Sequence, residues 1–301
     1  MRVAITGATG FIGRYMVRQL IAEGHACRAW YRPESDRGGF GDAAAKVEWL
    51  EGDLGDDAAA KRLIEGVDAV VHAALYHPGG GFRGGEGDLR AFNEKNLMGS
   101  LSLIEAARAA GVPRFVFVST CAVHDKILED RPLDETHPMW TASHYGAYKA
   151  AVEEFVYSYG LGHGYNICAL RPTGVYGVAH PPTKSKWFDL VQAVARGQPV
   201  TCKRGGKEVH AADVAKATAI LLTANGIAGQ AYNCYDTYIS EWDVAHLAKQ
   251  FSGSKSAIGG HQTAPKNQIV NEKICRLGMQ FGGRPRLEKT IEELVRAVGK
   301  L

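Results

Sequence analysis

The sequence predicts an α/β fold, a doubly wound parallel sheet with a smaller C-terminal lobe expected to hold the substrate. Over the first two hundred residues, short β-branched runs alternate with longer stretches of helical periodicity, which indicates a parallel sheet covered by helices on both faces. The first run leads directly into three glycines spaced three residues apart and then into a helical stretch. Together these features are typical of a Rossmann-like fold.

The predicted elements follow in chain order. Strands are expected at residues 2–6, 26–31, 46–50, 69–72, 114–118 and 166–170. The helical stretches between them are 11–23, 58–64, 89–110 and 142–160. Because ligands in such sheets bind beyond the carboxyl ends of the strands, the loops that follow these strands are expected to carry the chemistry.

The alternation loosens after Pro172, where helical patterns are interleaved with short strand-like runs. A chain of 301 residues also exceeds one compact Rossmann unit. We therefore expect residues 1–171 plus about 209–235 to form the NAD(P)-binding Rossmann domain. About 172–208 plus 236–301 are expected to form the small substrate-binding lobe.

Composition excludes several classes of protein. Lys and Arg total 35 against 32 Asp and Glu, and the basic residues are spread along the chain, which argues against nucleic-acid binding. No apolar run approaches the ~18 residues that span a bilayer, and no signal peptide fits before the first glycines. The six scattered cysteines show no spacing typical of zinc ligands, so we expect reduced thiols, no metal and a cytoplasmic protein.

The first glycine-rich loop predicts a cradle for a dinucleotide pyrophosphate. Gly7 permits the sharp turn, Gly10 lets the backbone approach the phosphates, and Gly13 lets helix and strand pack closely. The free N–H groups at the start of the following helix attract the negative charge. The predicted contacts are Gly7, Thr9, Gly10, Phe11, Ile12 and Gly13.

The end of the second strand discriminates between the two dinucleotides. NAD sites commonly place an Asp or Glu there for the ribose 2′-hydroxyl, but the run Ala29-Trp30-Tyr31-Arg32-Pro33 contains neither. Arg32 is suited to pair with a 2′-phosphate, assisted by Arg37 or Arg14; the alternative is a solvated loop residue. NADP is therefore expected to be preferred, with NAD as the other option.

Two later strand ends supply further expected cofactor contacts. Asp53 and Leu54 follow the third strand, where a carboxylate can accept a hydrogen bond from the adenine amino group. Ala73 and Ala74 follow the fourth strand, and their small side chains let the backbone approach the ribose. His72, in the same strand, is expected to have a packing role.

Three side chains form a candidate hydride-transfer set. Tyr145 and Lys149 stand four residues apart in a predicted helix and therefore share one face. A phenol titrates near ~10, and a nearby ammonium lowers that pKa toward the range of a base. Thr120, after the fifth strand, is expected to donate a hydrogen bond to the reacting oxygen. Ser119 is the second choice for that role and an expected cofactor contact.

Residues 79–87 follow the fourth strand and contain six glycines in nine positions. Such a segment does not hold one conformation without a large loss of entropy. It is either a mobile lid over the site or a slack surface loop.

With these residues the sequence resembles the extended short-chain dehydrogenase/reductase family, also called the NAD-dependent epimerase/dehydratase family. The motifs that carry the resemblance are Thr6-Gly7-x-x-Gly10-x-x-Gly13, Gly52-Asp53-Leu54, Asn96-x-x-Gly99, Ser119-Thr120-x-Ala122-Val123, Tyr145-x-x-x-Lys149, Arg171-Pro172-x-x-Val175-Tyr176-Gly177 and Val209-His210-Ala211-Ala212-Asp213-Val214-Ala215. The resemblance implies that Thr120, Tyr145 and Lys149 are catalytic and that the main chain after Pro172 contacts the cofactor. It also implies a homodimer formed through helices at about 97–110 and 142–160.

The departures from the family pattern bear on the reaction. The family's sugar-nucleotide 4,6-dehydratases have Asp-Glu after the catalytic threonine, whereas Thr120 is followed by Cys121-Ala122, which disfavours dehydration. The family's diphosphate-binding arginine has no clear match, and Arg204 or Lys207 is the candidate substitute. His124 replaces a family tyrosine and is either a substrate contact or a packing histidine.

The leading functional prediction is an NAD(P)-dependent oxidoreductase that acts on a secondary alcohol or ketone of a small, sugar or polyol-like substrate. Thr120, His124 and Tyr145 are the expected substrate contacts. A nucleotide-sugar epimerase with tightly bound NAD is the alternative, and a non-catalytic NADP sensor is a third possibility. Substrate choice is expected to depend on the small lobe, residues 79–87, and positions such as His124, Trp140, His144 and Trp187.

Overall fold

The computed structural model describes residues 1–79 and 84–300. Its strands are β1 Arg2–Thr6, β2 Ala26–Tyr31, β3 Val47–Glu51, β4 Ala69–His72, β5 Phe115–Val118, β6 Ile167–Pro172, β7 Gly174–Tyr176, β8 Val200–Cys202, β9 Gly205–His210, β10 Gln230–Cys234, β11 Thr237–Ser240 and β12 Ile258–Gly260. Its α-helices are α1 Phe11–Ala22, α2 Asp57–Ile64, α3 Leu89–Asn93, α4 Gly99–Ala109, α5 His144–Tyr157, α6 Phe188–Ala195, α7 Ala211–Thr223, α8 Glu241–Ser252, α9 Glu272–Cys275 and α10 Gly283–Val298.

Seven of these strands form one parallel sheet in the order β3-β2-β1-β4-β5-β6-β10. One hydrophobic core lies between the sheet and helices α1 and α7, and a second lies between the sheet and helices α2, α4 and α5. The predicted Rossmann-like, doubly wound α/β fold is therefore confirmed. The six predicted strands end within one or two residues of the observed bounds.

The strands are apolar on both faces because helices cover both sides of the sheet. In β1, Val3 and Ile5 belong to the first core, whereas Ala4 between them belongs to the second. In β4, Val70 and Val71 divide in the same way. Because all seven strands are parallel, their carboxyl ends lie at one edge of the sheet, where the connecting loops meet.

A third hydrophobic core joins helices α6, α8 and α10 through residues such as Phe188, Leu247 and Ile291. Two small sheets accompany these helices, in the orders β11-β9-β7 and β12-β8. Strand β10 returns to the central sheet, whereas β9 pairs with β7 and β11. The exact division of the chain into two domains stays a prediction.

Part of the glycine-rich segment predicted to be a lid or a surface loop, residues 80–83, lies outside the described residues. Within residues 1–79 and 84–300, none of the helices combines the length and apolar character that a membrane span requires. In the same ranges, no group of three or more His, Cys, Asp or Glu side chains is arranged to hold a metal ion.

Gly13→Ala is expected to destabilise the protein by about 1–3 kcal/mol, since a Cβ there would overlap the Gly7 carbonyl oxygen and the Ala8 backbone. The same substitution at an unstrained glycine inside a helix normally raises the free energy of unfolding by about 1 kcal/mol. Gly299→Ala is the matched control, because its Cβ would lie 3.7 Å from the nearest atom. Urea unfolding of both variants checks this, and equal stabilities would contradict it.

Candidate active site

One cleft of about 740 Å³ runs along the carboxyl edge of the central sheet. All of the site residues predicted from the sequence line it. They are Gly7, Thr9, Gly10, Phe11, Ile12, Gly13, Arg32, Asp53, Leu54, Ala73, Ala74, Ser119, Thr120, His124, Tyr145, Lys149 and Pro172. The structure therefore brings the predicted residues together, while their individual roles stay predictions.

At the start of the cleft, the backbone after β1 lies against the backbone after β4. Gly7 has a φ of +73°, and a Cβ there would come within 2.5 Å of the Ala73 carbonyl oxygen. The Thr6 hydroxyl oxygen accepts hydrogen bonds from the Ala73 and Ala74 N–H groups at 3.2 and 3.1 Å. Gly10 precedes α1 and provides no side-chain cap, so the first N–H groups of this helix remain available to an anion.

His72 has the expected packing role beneath this loop. Because the Thr6 hydroxyl already accepts two N–H groups, it donates to His72 Nδ1 at 2.6 Å. His72 Nε2 then donates to the Ser100 hydroxyl at 2.8 Å. Burial lowers the pKa of His72 to about 3, so the ring stays neutral and joins β1, β4 and α4.

Arg32 is the arginine that the structure places in the cleft at the end of β2. Its Nε lies 2.9 Å from Glu34 Oε1, in a pair whose side chains are 44% and 66% exposed. The Arg32 N–H donates to the Ser35 hydroxyl at 3.0 Å, and Ser35 also lines the cleft. An exposed pair of this kind contributes little to stability, so the guanidinium can exchange Glu34 for another anion.

The two arginines proposed to assist Arg32 do not line the cleft. The buried Arg14 guanidinium donates to the carbonyl oxygens of Thr9, Asp36 and Gly38, which joins the loop after β2 to the glycine loop. The Arg37 guanidinium stacks on the Tyr31 ring at 4.5 Å. Sequence position alone did not distinguish these arginines from Arg32.

Asp53 lies where predicted, after β3, and its Oδ2 accepts a hydrogen bond from Lys95 Nζ at 2.6 Å. Trp30 also lines the cleft, although the sequence analysis did not predict it there. The Trp30 indole N–H is buried and has no hydrogen-bond partner among the described residues. A Cβ at Gly52 would come within 2.6 Å of that nitrogen, so Gly52 leaves the space that the indole fills.

Helix α5 begins directly against the turn that follows Thr120. The Ser143 hydroxyl caps the helix by accepting from the Gly146 N–H at 3.1 Å. A Cβ at Gly146 would come within 2.6 Å of the Ala122 carbonyl oxygen, so only glycine allows this approach. Thr120 Oγ1 accepts from the Ala122 N–H at 3.1 Å, and its O–H remains a donor. Tyr145 is in the first turn of this helix.

Lys149, one turn after Tyr145, is buried with 4% of its surface exposed. Its ammonium donates to the Val118 carbonyl oxygen at 2.6 Å and lies 4.5 Å from the centre of the Phe117 ring. Burial lowers the pKa of Lys149 to about 7, and the negative charge of Glu153 opposes this shift. The ammonium is thus held at the end of β5, beside Thr120.

A buried ion pair that the sequence analysis missed lies beneath these groups. Glu153 in α5 and Arg171 in β6 have fully buried side chains. Arg171 donates to Glu153 Oε2 at 2.6 and 2.8 Å and to Glu153 Oε1 at 3.1 Å. Burial alone would lower the pKa of Arg171, but the Glu153 carboxylate outweighs it and raises that pKa. The Ser119 hydroxyl also donates to Glu153, so Thr120 is the better placed hydroxyl for a reacting oxygen.

His124 lines the cleft, but both ring nitrogens already have partners in the protein. Its Nε2 accepts from Arg171 at 3.0 Å, and its Nδ1 donates to the Pro138 carbonyl oxygen at 3.1 Å. Burial and the positive charge of Arg171 lower the pKa of His124 to about 4, so the ring is neutral. A substrate here would therefore meet ring carbon atoms.

Of the other positions considered for substrate choice, only Lys207 lines the cleft. Trp140, His144 and Trp187 do not, and Trp187 instead packs on Tyr176 at 5.4 Å. Arg204 also lies off the cleft, in a 3.0 Å ion pair with Glu241. The aliphatic residues Ile127, Leu133 and Ile269 line the cleft and were missed, because no motif marks them. Val175, which belongs to one of the family motifs, also lines the cleft.

Comparisons with known proteins agree with this geometry. The family model for the NAD dependent epimerase/dehydratase family matches residues 3–234. The chain is 31% identical to 3 beta-hydroxysteroid dehydrogenase/Delta 5→4-isomerase of Mycobacterium tuberculosis over 194 residues. This match covers 63% of this chain but only 51% of the relative. It is 30% identical to dTDP-D-glucose 4,6-dehydratase of Mus musculus over 274 residues, or 83% of this chain and 71% of the relative.

Among solved structures, the chain is similar to the UDP-glucose 4-epimerase of Thermus thermophilus in complex with NAD. The TM-score is 0.78 and the identity is 25%, over 98% of this chain and 99% of the other. The residues matched by the family model, 3–234, include the glycine loop, α5 and nearly all of the central sheet.

Glu153→Gln is expected to lower the free energy of unfolding by about 3–5 kcal/mol, because it leaves the buried Arg171 guanidinium without its counter-charge. Ser119→Ala, which removes one hydrogen bond to the same carboxylate, is expected to cost about 1.5–3 kcal/mol. The exposed pair of Arg296 and Glu292 supplies the control.

Urea unfolding at neutral pH measures all three changes. Glu292→Gln should change stability by no more than about 1 kcal/mol. A Glu153→Gln protein as stable as that control would show that the buried pair contributes nothing.

Proposed function

The chain belongs to the NAD-dependent epimerase/dehydratase family, and on that premise we propose that it is an NAD(P)-dependent oxidoreductase acting on a secondary alcohol or ketone. The observation that supports this most directly is the arrangement of Thr120, Tyr145 and Lys149 along one cleft that begins at the glycine loop. The dinucleotide, when bound, supplies or accepts the hydride.

The chain offers a fitting cradle for that dinucleotide. The space over Gly7 that a Cβ would fill, together with the uncapped start of α1, suits a pyrophosphate. Asp53, Ala73 and Ala74 then follow along the cleft as contacts for the adenosine and ribose parts. These residues hold and orient the group.

Tyr145 is the proton donor in ketone reduction and the proton acceptor in alcohol oxidation. Thr120 donates a hydrogen bond to the same oxygen, which stabilises it as negative charge develops. The Lys149 ammonium, when protonated, favours the phenolate form of Tyr145, and the negative charge of Glu153 opposes the loss of its proton. Tyr145 therefore transfers the proton, Thr120 stabilises the reacting oxygen, and Lys149 favours the phenolate form of Tyr145.

We infer a preference for NADP over NAD, supported by Arg32 and Ser35 at the end of β2. A guanidinium in an exposed ion pair and a nearby hydroxyl are suitable partners for a 2′-phosphate. Neither Tyr31, the last residue of β2, nor Arg32, which follows it, supplies a carboxylate to accept from a ribose 2′-hydroxyl.

We also propose a homodimer through helices α4 and α5. Apolar side chains at these helices support it, since Met98 is 55% exposed, Phe155 40% and Leu161 70%. The cytoplasmic location stays a prediction from the six cysteines, all of which are free thiols.

A nucleotide-sugar epimerase with tightly bound NAD is the second candidate, favoured by the likeness to the Thermus thermophilus UDP-glucose 4-epimerase. The two functions differ in net redox change. An oxidoreductase changes the absorbance of the nicotinamide during turnover. An epimerase returns the hydride to the substrate and therefore leaves that absorbance unchanged.

Tyr145→Phe is expected to lower kcat by about 10²-fold or more, because it removes the proton donor while it keeps the ring. The dissociation constant for NADPH should stay within a few-fold of the wild-type value. Tyr148→Phe, which removes a buried hydroxyl one turn away, is the control and should keep its activity. NADPH oxidation with the best substrate of a ketone panel measures this. Full activity of Tyr145→Phe would refute the proposed role.

Arg32→Ala is expected to raise the KM for NADP about 10-fold or more and to leave the KM for NAD nearly unchanged, since only NADP carries the 2′-phosphate. Arg284→Ala is the matched control, as its guanidinium also pairs with a glutamate, Glu288 in α10, and does not line the cleft. Steady-state kinetics with both dinucleotides tests the pair. An unchanged NADP preference in Arg32→Ala would exclude this residue from the role.

A further inference from the structure

Near the start of α5, where Asp125 bonds to Ala142 and Ser143, the cleft is lined by side chains that belong to neither the glycine loop nor the predicted catalytic set. We call the part of the cleft defined by six of them the far end: Asp125, Ile127, Leu133, Val175, Lys207 and Ile269. Four of these six are aliphatic, and they come from three separate segments of the chain. The far end is thus the part of the cleft that remains for a substrate.

We call the four aliphatic residues, Ile127, Leu133, Val175 and Ile269, the aliphatic wall, and a backbone bridge joins two of them. Leu133 and Ile269 form a parallel bridge, in which the Leu133 N–H donates to the Gln268 carbonyl oxygen at 2.9 Å and the Val270 N–H donates to the Leu133 carbonyl oxygen at 3.0 Å. Leu133 is 2% exposed and Ile269 is 6% exposed, although both line the cleft. This apolar surface is therefore already formed before any substrate binds.

The polar side chains of the far end are engaged within the protein. Asp125 Oδ2 accepts from the Ala142 N–H at 2.8 Å and from the Ser143 hydroxyl at 3.3 Å, at the start of α5. The Lys207 ammonium donates to Asn267, and burial lowers its pKa. A sugar or polyol would need partners for several hydroxyl groups in this region.

The distribution of positive charge also argues against a nucleotide diphosphate. Among the described residues, the cations that line the cleft are Arg32, Lys149 and Lys207. Arg32 is at the end of β2, and the Lys149 ammonium is bonded to the Val118 carbonyl oxygen. Arg204, the other candidate for a diphosphate, is 85% exposed and paired with Glu241. The far end therefore offers a single ammonium that already has a partner.

We propose that the far end binds the hydrocarbon body of an apolar ketone or secondary alcohol, with Ile127, Leu133 and Ile269 as specificity-determining residues. This inference rests on the proposed oxidoreductase function of the same cleft. Such a substrate places its oxygen at Thr120 and Tyr145 and its carbon skeleton against the aliphatic wall. Specificity then increases with the apolar area that the wall removes from water.

The test measures kcat/KM with NADPH for cyclohexanone, 4-tert-butylcyclohexanone and 2-decalone. Burial of each added methylene is expected to raise kcat/KM up to about fourfold, so 2-decalone should exceed cyclohexanone by about 10-fold or more. Ile127→Asn, at a half-buried position of the wall, should lower kcat/KM for 2-decalone about 10-fold and change that for cyclohexanone little. Ile21→Asn, a half-buried position in α1 outside the cleft, is the matched control.

Binding is measured separately, so that failure of the proposed function can be distinguished from failure of this inference. In the presence of NADPH, 2-decalone should raise the Tm of the wild-type and Ile21→Asn proteins but not of Ile127→Asn, whether or not turnover occurs. UDP and UDP-glucose should neither raise the Tm nor inhibit. Stabilisation by UDP-glucose, or no dependence of ketone binding on size or on Ile127, would overturn the inference.

Discussion

The buried ion pair of Glu153 and Arg171 sets the position of helix α5 on the sheet. Both side chains are fully buried, and a charge in an apolar interior costs several kcal/mol unless its partner is close. A shift of α5 along β6 would separate the two charges, so only one register is stable. That register places Lys149 one turn before Glu153 and Tyr145 one turn earlier still, at the cleft.

The same pair determines the states of the polar groups around it. Glu153 takes the hydrogen bond of Ser119, whereas the Thr120 hydroxyl, which lines the same cleft as Tyr145, is not bonded to this carboxylate. Arg171 donates to His124, and its positive charge helps to keep that ring neutral. The negative charge of Glu153 opposes the loss of the proton from the buried Lys149. The ion pair thus influences the protonation or orientation of three groups at the cleft, namely Ser119, His124 and Lys149.

The sequence was informative where the signal is local. β1 and β4 are continuous apolar runs, and the glycine spacing after β1 allows few conformations other than a close turn. Partners distant in the chain could not be predicted. The Arg171–His124 contact joins residues 47 positions apart, and the Leu133–Ile269 bridge is formed between segments with no motif. Local composition also could not show that Arg14 is buried under carbonyl groups while Arg32 lines the cleft.

The cleft uses two different kinds of recognition along its length. Toward Gly7 and the start of α1, backbone N–H groups attract anions without requiring many basic side chains. Toward Leu133 and Ile269, an aliphatic wall excludes water from the space next to Thr120 and Tyr145. In the proposed reaction, Thr120 donates a hydrogen bond to a developing alkoxide, and a region of low dielectric constant makes such a bond stronger than in water. On this proposal, the apolar far end contributes to the chemistry as well as to the choice of substrate.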